Sequence, residues 1–300
     1  MAGEIIMKII NIGSMNLDHV YQMDHIVQPG ETEASAQMDI FLGGKGMNQS
    51  IALAKAGAEV YHAGLIGGDG EVFLEACRKY GVHGEFIEKV QGRTGHAIIQ
   101  VDCHAQNSIL LYGGANQMLT EAYVDQVLSH FEKGDILLLQ NEVNLLPYIV
   151  DRAFEKGLKI ALNPSPFNEK ILEADLGKIG IFLLNEVEGE QITGEKEPDK
   201  IIAAFRKRWP GAEVVLTLGK NGAVYADSQR EYFQEIFKVK AVDTTAAGDT
   251  FTGYFLAGYA AGLSIPEVLK ISAKAASIAV SRQGAVPSIP CREEVLASLT

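Results

Sequence analysis

With 300 residues, 47% of them hydrophobic and 21% charged, the chain has the profile of an ordinary soluble globular protein, long enough for one large domain or two modest ones. Its formal net charge of −12 argues against a nucleic-acid surface and against anionic membranes, both of which need clustered Lys and Arg. A phosphate-bearing ligand stays open, because backbone N–H groups bind phosphate without side-chain charge.

The chain opens on "MAGEIIMKIINIG", an apolar run holding Glu4 and Lys8 with no cleavage-site pattern after it. It predicts a buried first strand rather than a secretory leader. Residues 18–41 read as short β segments without a helix between them. "FLGGKGMNQS" (41–50) then leads into a helix over 46–57, and a second helix is expected over 70–81. Residues 84–112 are again short β segments, with "TGHAIIQVD" and "SILLY" forming a hairpin about "CHAQN". Helices over 120–132, 144–156 and 197–209 alternate with the apolar runs "DILLLQ", "LKIALNP", "IGIFLLN" and "EVVLTLG". Consecutive helices over 246–263 and 264–281 and a short one near 291–299 close the chain. No uninterrupted apolar stretch reaches the roughly 18 residues of a membrane span.

Strand–helix alternation predicts an α/β fold, a mostly parallel central sheet flanked by helices in three layers. The two helix-free segments, about 18–41 and 84–112, predict a small β-sheet inserted into a single domain spanning 1–300. Cys77, Cys103 and Cys291 are far apart and form no CxxC pair, so neither a zinc site nor a disulfide framework is expected. A reducing, cytoplasmic setting is the simplest.

Ligands of open α/β sheets bind beyond the carboxyl ends of the strands. That rule singles out "SMNLD", "QNE", "NPSP", "NEVE", "TLGKNG" and "DTTAAGD". In the last, a helix beginning near Ala246 leaves its first N–H groups unpaired, with partial positive charge at that end. Ala246, Ala247 and Gly248 carry little bulk, so an anion can approach the backbone. Asp249 lies in the first turn, where the dipole favours its ionised form. A carboxylate beside an anion hole can take a proton from an alcohol as that oxygen attacks phosphorus. Judged alone, Asp249 reads first as an acid that stabilises its helix's opening turn, and cap or turn residues at Asp243 and Thr245 and plain helix packing of the small residues at 253–262 are open alternatives.

"FLGGKGMNQS" is not a Walker loop, since no Ser or Thr follows the Lys, nor a dinucleotide fingerprint, since Gln49 stands where Gly is required. Its glycines let a polar ligand approach the backbone, and Lys45 and Asn48 offer donors to hydroxyl groups; a turn with a solvated Lys is the alternative. In "SMNLD", Asn16 and Asp18 alternate on an extended chain and can face one ligand, a pair suited to a sugar; an ordinary turn competes. Asn185 and Glu188, at a helix start, can hold a hydrated cation or form an Asn cap with an acidic first turn.

In order through nearly the whole chain, "SMNLD", "PGET", "GGKGMNQ", "YGGANQ", "LQNE", "LNPSP", "NEVEGE", "TLGKNGA", "VDTTAAGDTF" and "RQGAVPSIP" together resemble the ribokinase family of carbohydrate kinases. GGKG-x-N and DT-x-AAGD are its specific motifs. The resemblance implies ATP-dependent phosphorylation of a sugar hydroxyl, O5 of D-ribose, with another sugar or a nucleoside as the alternative acceptor. It implies Asp249 as the catalytic base and the backbone of Ala246, Ala247 and Gly248 as the anion hole. Asn16, Asp18, Gly44, Lys45, Asn48 and Glu142 match positions that hold the sugar. Asn185, the run from Thr217 through Gly219 and Lys220 to Gly222, and Gly248 match nucleotide-binding positions. Glu188 matches an acid that organises Mg2+ through water. Asp243, Thr245, Ala279, Arg282, Gly284 and Ser288 match a monovalent-cation loop for K+, mostly through main-chain oxygens. The small sheet is implied to be a lid over the sugar, and two lids to pair as a homodimer. A sugar sensor on the same scaffold would have no need of Asp249, and a nicotinamide dehydrogenase is disfavoured by the failed glycine fingerprint.

Overall fold

In the computed structural model, which describes residues 7–104 and 106–299, the chain begins with β1 (Ile9–Ile12), β2 (Asn16–Gln22), β3 (Gln37–Gly43), α1 (Lys45–Lys55), β4 (Val60–Ile66), α2 (Glu71–Tyr80) and β5 (His83–Lys89). It continues through β6 (Gly95–Val101), β7 (Asn107–Tyr112), α3 (Glu121–Leu128), β8 (Ile136–Leu139), α4 (Leu146–Glu155), β9 (Lys159–Leu162), β10 (Ile181–Asn185), α5 (Glu186–Thr193) and α6 (Pro198–Arg208). The last part holds β11 (Glu213–Thr217), β12 (Ala223–Ala226), β13 (Glu231–Gln234), α7 (Ala247–Ala260), α8 (Ile265–Val280) and α9 (Arg292–Ala297). Ile5 and Ile6 of the expected first strand, and Ala105 in the expected hairpin turn, lie outside the described residues.

Among the described residues, nine strands form one sheet in the order β13-β12-β11-β10-β9-β8-β1-β4-β5. It is parallel from β5 through β11 and antiparallel only where β12 and β13 are added at one edge. Successive side chains alternate across it. Ile10, Ile12, Leu137 and Leu139 enter a core closed by α3, α4 and α6, whereas Ile9, Ile136 and Leu138 enter one closed by α1, α2, α7 and α8. Burial on both faces is why these strands read as unbroken apolar runs. β4 was harder to see, because "VYHAGLI" interrupts its run with a buried His and a Gly. β12 and β13 are short strands at the antiparallel edge, and α5 follows β10 with no intervening loop, so none of the three announces itself by a long periodic pattern.

A second sheet, ordered β3-β2-β6-β7, stands apart. The expected second segment of this sheet, 84–112, needs correction: residues 84–89 belong to β5, parallel to β4 in the large sheet. Ile87 is buried in the α2-side core and Phe86 packs on the opposite one, as befits a strand covered on both faces. β7 by contrast is exposed along its whole length.

The two sheets join through three residues, since β1 leaves the large sheet at Ile12 and β2 enters the small one at Asn16. Asn116 clamps this joint: its Oδ1 accepts from Met15 N at 3.0 Å, and its Nδ2 donates to Met15 O at 3.2 Å and Asn16 Oδ1 at 2.8 Å. β3 returns to the joint and passes into α1 through Gly44, whose φ of +88° favours glycine. α1 and α7 then pack closely, because a Cβ at Gly253 would fall 2.4 Å from Cβ of Ala52. No helix among the described residues is long and apolar enough to cross a membrane.

Candidate active site

α7 begins at the sheet's carboxyl edge with Ala246 as its N-cap and no side-chain cap. The first intrahelical bond runs from Thr250 N to Ala246 O at 2.8 Å. The N–H groups of Gly248 and Asp249 precede it and have no acceptor among the described residues. Gly248 is exposed, and nothing lies within 4 Å of where its Cβ would be, so the approach is open. One expected member of the anion hole is corrected: the Ala247 N–H turns onto Thr244 O at 3.2 Å, closing the turn that starts the helix.

Asp249 is 4% exposed. Its carboxylate is held from α1, across the contact that Gly253 permits. Asn48 Nδ2 donates to one oxygen at 3.1 Å and Gln49 Nε2 to the other at 2.9 Å. One hydrogen of the Asn48 amide is thus engaged by Asp249, a partner that the sequence alone did not suggest. The atom left over is Oδ1, buried and without a hydrogen-bond partner. A buried acceptor without a partner is costly, and a ligand hydroxyl donating to it removes that cost.

The other expected sugar-side groups gather at the joint between the sheets. Glu142 Oε2 accepts from Ser14 Oγ and, at 2.9 Å, from the backbone N–H of Lys45. Asp18 lies against Gly43, where a Cβ would fall 2.0 Å from its Oδ2. Burial, with the Glu142 charge adding to it, pushes the Asp18 carboxyl up to about 7. Burial likewise raises Glu142, against the opposing pull of the Ser14 hydrogen bond and the Lys45 charge. Lys45 answers them: burial works against its ammonium, but the carboxylates of Asp249, Glu142 and Glu188 outweigh it and hold the group above its ordinary range. Asn16 is buried, with its Oδ1 engaged by Asn116.

Asn185, Glu188, Thr217, Gly248 and Lys45 line one cleft with Asp249. Asn185 ends β10 and caps α5 in a full capping box: its Oδ1 accepts from Glu188 N at 2.9 Å, and Glu188 Oε2 accepts from Asn185 N at 3.1 Å. Glu188 is 6% exposed and still faces the cleft. The residues after Thr217 form a single 3-10 turn, Gly219–Asn221, with Gly219 and Lys220 exposed. Gly222 packs against β13, since a Cβ there would fall 2.3 Å from Gln234 O.

Asp243 ties two loops together. Its Oδ1 accepts from Thr245 N at 2.9 Å and its Oδ2 from Gly284 N at 2.9 Å. Partial burial opposes its charge, but the bonds from Thr245 and Gly284 prevail and keep its carboxyl below the usual range. The N–H groups of Val242 and Asp243 both donate to Val280 O, which brings this loop against the end of α8. Ala279 O accepts from Arg282 N at 3.0 Å, the Arg282 guanidinium pairs with Glu294, and Ser288 Oγ donates to Ala285 O at 2.7 Å. The side chains of Arg282 and Ser288 are thus engaged elsewhere, leaving main-chain oxygens as the donors available to a cation.

Sequence reading missed Gln49, Asn163, Gln140 and Asn11, which stand behind Asp249. Signals existed: Gln140 and Asn163 sit in "QNE" and "NPSP", Gln49 follows Asn48, and Asn11 is the lone amide in an apolar strand. The assembled site places a buried, hydrogen-bonded carboxylate beside open helix amides and a cation. That arrangement can deprotonate an alcohol and hold an anionic group next to it.

Comparison with known proteins agrees with this architecture. Residues 7–292 match the family described as pfkB family carbohydrate kinase. The ribokinase of Haemophilus influenzae is 37% identical over 297 residues, covering 95% of this chain and 96% of that protein. The crystal structure of ribokinase from Thermotoga maritima superimposes with a TM-score of 0.87 at 34% identity, covering 98% of this chain and 99% of the other. Arabidopsis thaliana ribokinase complexed with ribose and ATP gives a TM-score of 0.87 at 29% identity, covering 99% of each chain.

Proposed function

This chain belongs to the pfkB family of carbohydrate kinases, and we propose that it transfers the γ-phosphoryl group of ATP to O5 of D-ribose. One observation carries the reading. Asp249, oriented by Asn48 and Gln49, lies in the first turn of α7 beside amides that have no internal acceptor. Asp249 takes the proton from the sugar hydroxyl, while the N–H groups of Gly248 and Asp249 offset charge on the group in transfer. Asn16, Asp18, Gly44, Lys45, Asn48 and Glu142 hold the sugar; Oδ1 of Asn48 accepts from one of its hydroxyls. Asn185 and the run from Thr217 to Gly222 border the nucleotide.

Glu188 fits a magnesium site reached through water: it is a buried hard-oxygen donor in the same cleft, with one oxygen held by the Asn185 N–H. Bound there, Mg2+ neutralises charge on the phosphates. Main-chain oxygens around Asp243, Thr245, Ala279, Arg282, Gly284 and Ser288 suit potassium, a hard cation, and the Asp243 tether would keep that loop in shape. The small sheet serves as the lid that excludes water from the sugar. Its other face exposes Met38, Ile40, Leu110 and Tyr112 beside a cavity of about 980 Å³ against α2, a seat for the lid of a second copy. The free cysteines Cys77, Cys103 and Cys291 suit a cytoplasmic enzyme.

The test is a panel of D-ribose, 2-deoxyribose, other pentoses, hexoses and nucleosides supplied with ATP. ADP release gives kcat/KM, and NMR of the product gives the phosphate position. The highest kcat/KM on D-ribose, with phosphate on O5, is expected. A preferred acceptor other than ribose, or phosphate elsewhere, overturns the assignment.

A further inference from the structure

Behind Asp249 runs a line of side-chain amides with almost no exposure: Asn11 and Gln49 at 0% and Gln140 at 1%. The line has a direction. Asn11 Nδ2 donates to the backbone carbonyl of Gly46 at 2.7 Å and to Ser50 Oγ at 2.9 Å. A backbone carbonyl can only accept, so Asn11 must point its Oδ1 the other way. That Oδ1 accepts from Gln140 Nε2 at 3.1 Å, and the same nitrogen donates to Gln49 Oε1 at 2.7 Å. With its oxygen taken, Gln49 presents Nε2 outward. It donates to Asp249 Oδ1 at 2.9 Å and to Asn163 Oδ1 at 3.1 Å. Asn163 is itself fixed by a second backbone carbonyl, Leu183 O, at 2.7 Å.

Turning Gln49 over would set its oxygen against the Asp249 carboxylate and the Asn163 oxygen, and its NH2 against that of Gln140. The line also carries a cost that points to its purpose. Gln140 Oε1 is buried without a partner, because both hydrogens of its amide are committed to neighbouring oxygens. A core chosen for stability alone would avoid an orphaned acceptor.

We infer that Gln49 is a positioning residue for Asp249, its amide locked in one orientation by a relay through Gln140 and Asn11 that begins at the Gly46 carbonyl. The inference rests on Asp249 being the base. It deepens that reading by tying the base to the first turn of α1, one residue from Lys45, so that the loop facing the sugar and the carboxylate that deprotonates it share one hydrogen-bonded frame.

The test measures kcat and both KM values for Gln49→Met, Gln140→Met and the double variant, with thermal melting to confirm folding. Hydrogen bonds to charged groups are the strong ones, so Gln49→Met is expected to lower kcat about 10–100-fold with KM for sugar and ATP within about twofold. Gln140→Met, which touches neither Asp249 nor the cleft, is expected to lower kcat about 3–10-fold, and to have no effect when Gln49 is already Met. Unchanged kcat in Gln49→Met, or single effects that multiply in the double variant, overturns the relay. Should Gln49→Met not fold, Gln140→Met decides alone: a kcat loss at constant KM supports the relay, and unchanged kcat overturns it. Failure of the underlying reading is separable, because Asp249→Asn would then turn over like the wild type.

Discussion

Asn48 Nδ2 meets Asp249 Oδ2 at 3.1 Å across the contact between α1 and α7. The pair depends on a residue one helical turn further on. At Gly253 a Cβ would fall 2.4 Å from Cβ of Ala52 and 2.8 Å from N of Leu53, so the helices can approach this closely only because no side chain stands between them. The small residues of α7 therefore do more than pack: they bring the amides of Asn48 and Gln49 within reach of the carboxylate.

Gly253→Ala is expected to force the helices apart, destabilising the fold by about 1–3 kcal/mol. Turnover should fall beyond what the lost stability explains, because both donors to Asp249 lie on the displaced helix. Denaturant titration and kcat on the same preparation check this; wild-type values in both contradict it.

Sugar binding should depend on pH through Asp18, whose carboxyl burial pushes up to about 7. Glu142 is the other charged group that acts on it. A carboxylate that accepts from sugar hydroxyls binds best ionised, so ribose affinity should be about tenfold weaker at pH 6 than at pH 8 and level off above that. Calorimetry in buffers of different ionisation enthalpy should show proton release near pH 7. The sign for stability is the reverse. Between the unfolded value of 3.8 and about 7 the unfolded chain ionises Asp18 and the folded protein does not, so ligand-free stability falls as pH rises across that window. Asp18→Asn should therefore melt higher than the wild type at pH 8 while binding ribose poorly. Affinity independent of pH contradicts the assignment.

Glu188 holds two roles that one substitution separates. Glu188→Gln keeps a side-chain oxygen for the Asn185 N–H, so the capping box and the melting temperature should survive. Losing the negative charge should raise the Mg2+ concentration needed for half-maximal rate by about tenfold, in the range typical of lost ligand-sphere groups. An unchanged Mg2+ requirement would leave Glu188 as a helix cap alone.

Turnover should be faster in potassium than in sodium or in a buffer lacking both. Asp243→Ala removes the tether between Thr245 and Gly284 and should abolish the difference. Equal rates in all three salts remove the potassium site.

The sequence made some of this architecture readable and hid the rest for physical reasons. β1, β8, β9, β10 and β11 were visible because each is covered on both faces and so uniformly apolar. β4 was obscured by His62, a buried histidine bonded to Ser50 through Nδ1 at 2.8 Å and held by burial near 4, well below its usual range. β5 looked like part of the small sheet because strand pairing is decided by contacts distant in sequence, not by the segment's own composition. Around Asp249, the short motifs pick out candidate residues but not which of their atoms are free. Asn48 gives one hydrogen to Asp249, the Ala247 amide closes a turn onto Thr244, and Asn185 and Glu188 cap each other while Glu188 still faces the cleft. The amides of Asn11, Gln49 and Gln140 come from β1, from α1 and from the residue just past β8, and only the folded sheet aligns them.

Steady-state turnover of Asp249→Asn is the sharpest measure of whether Asp249 acts as the base. A positioned base contributes roughly 10²–10⁴-fold, so the folded variant should bind ribose as the wild type does while kcat drops by about that factor. Wild-type turnover in a folded Asp249→Asn protein would contradict it.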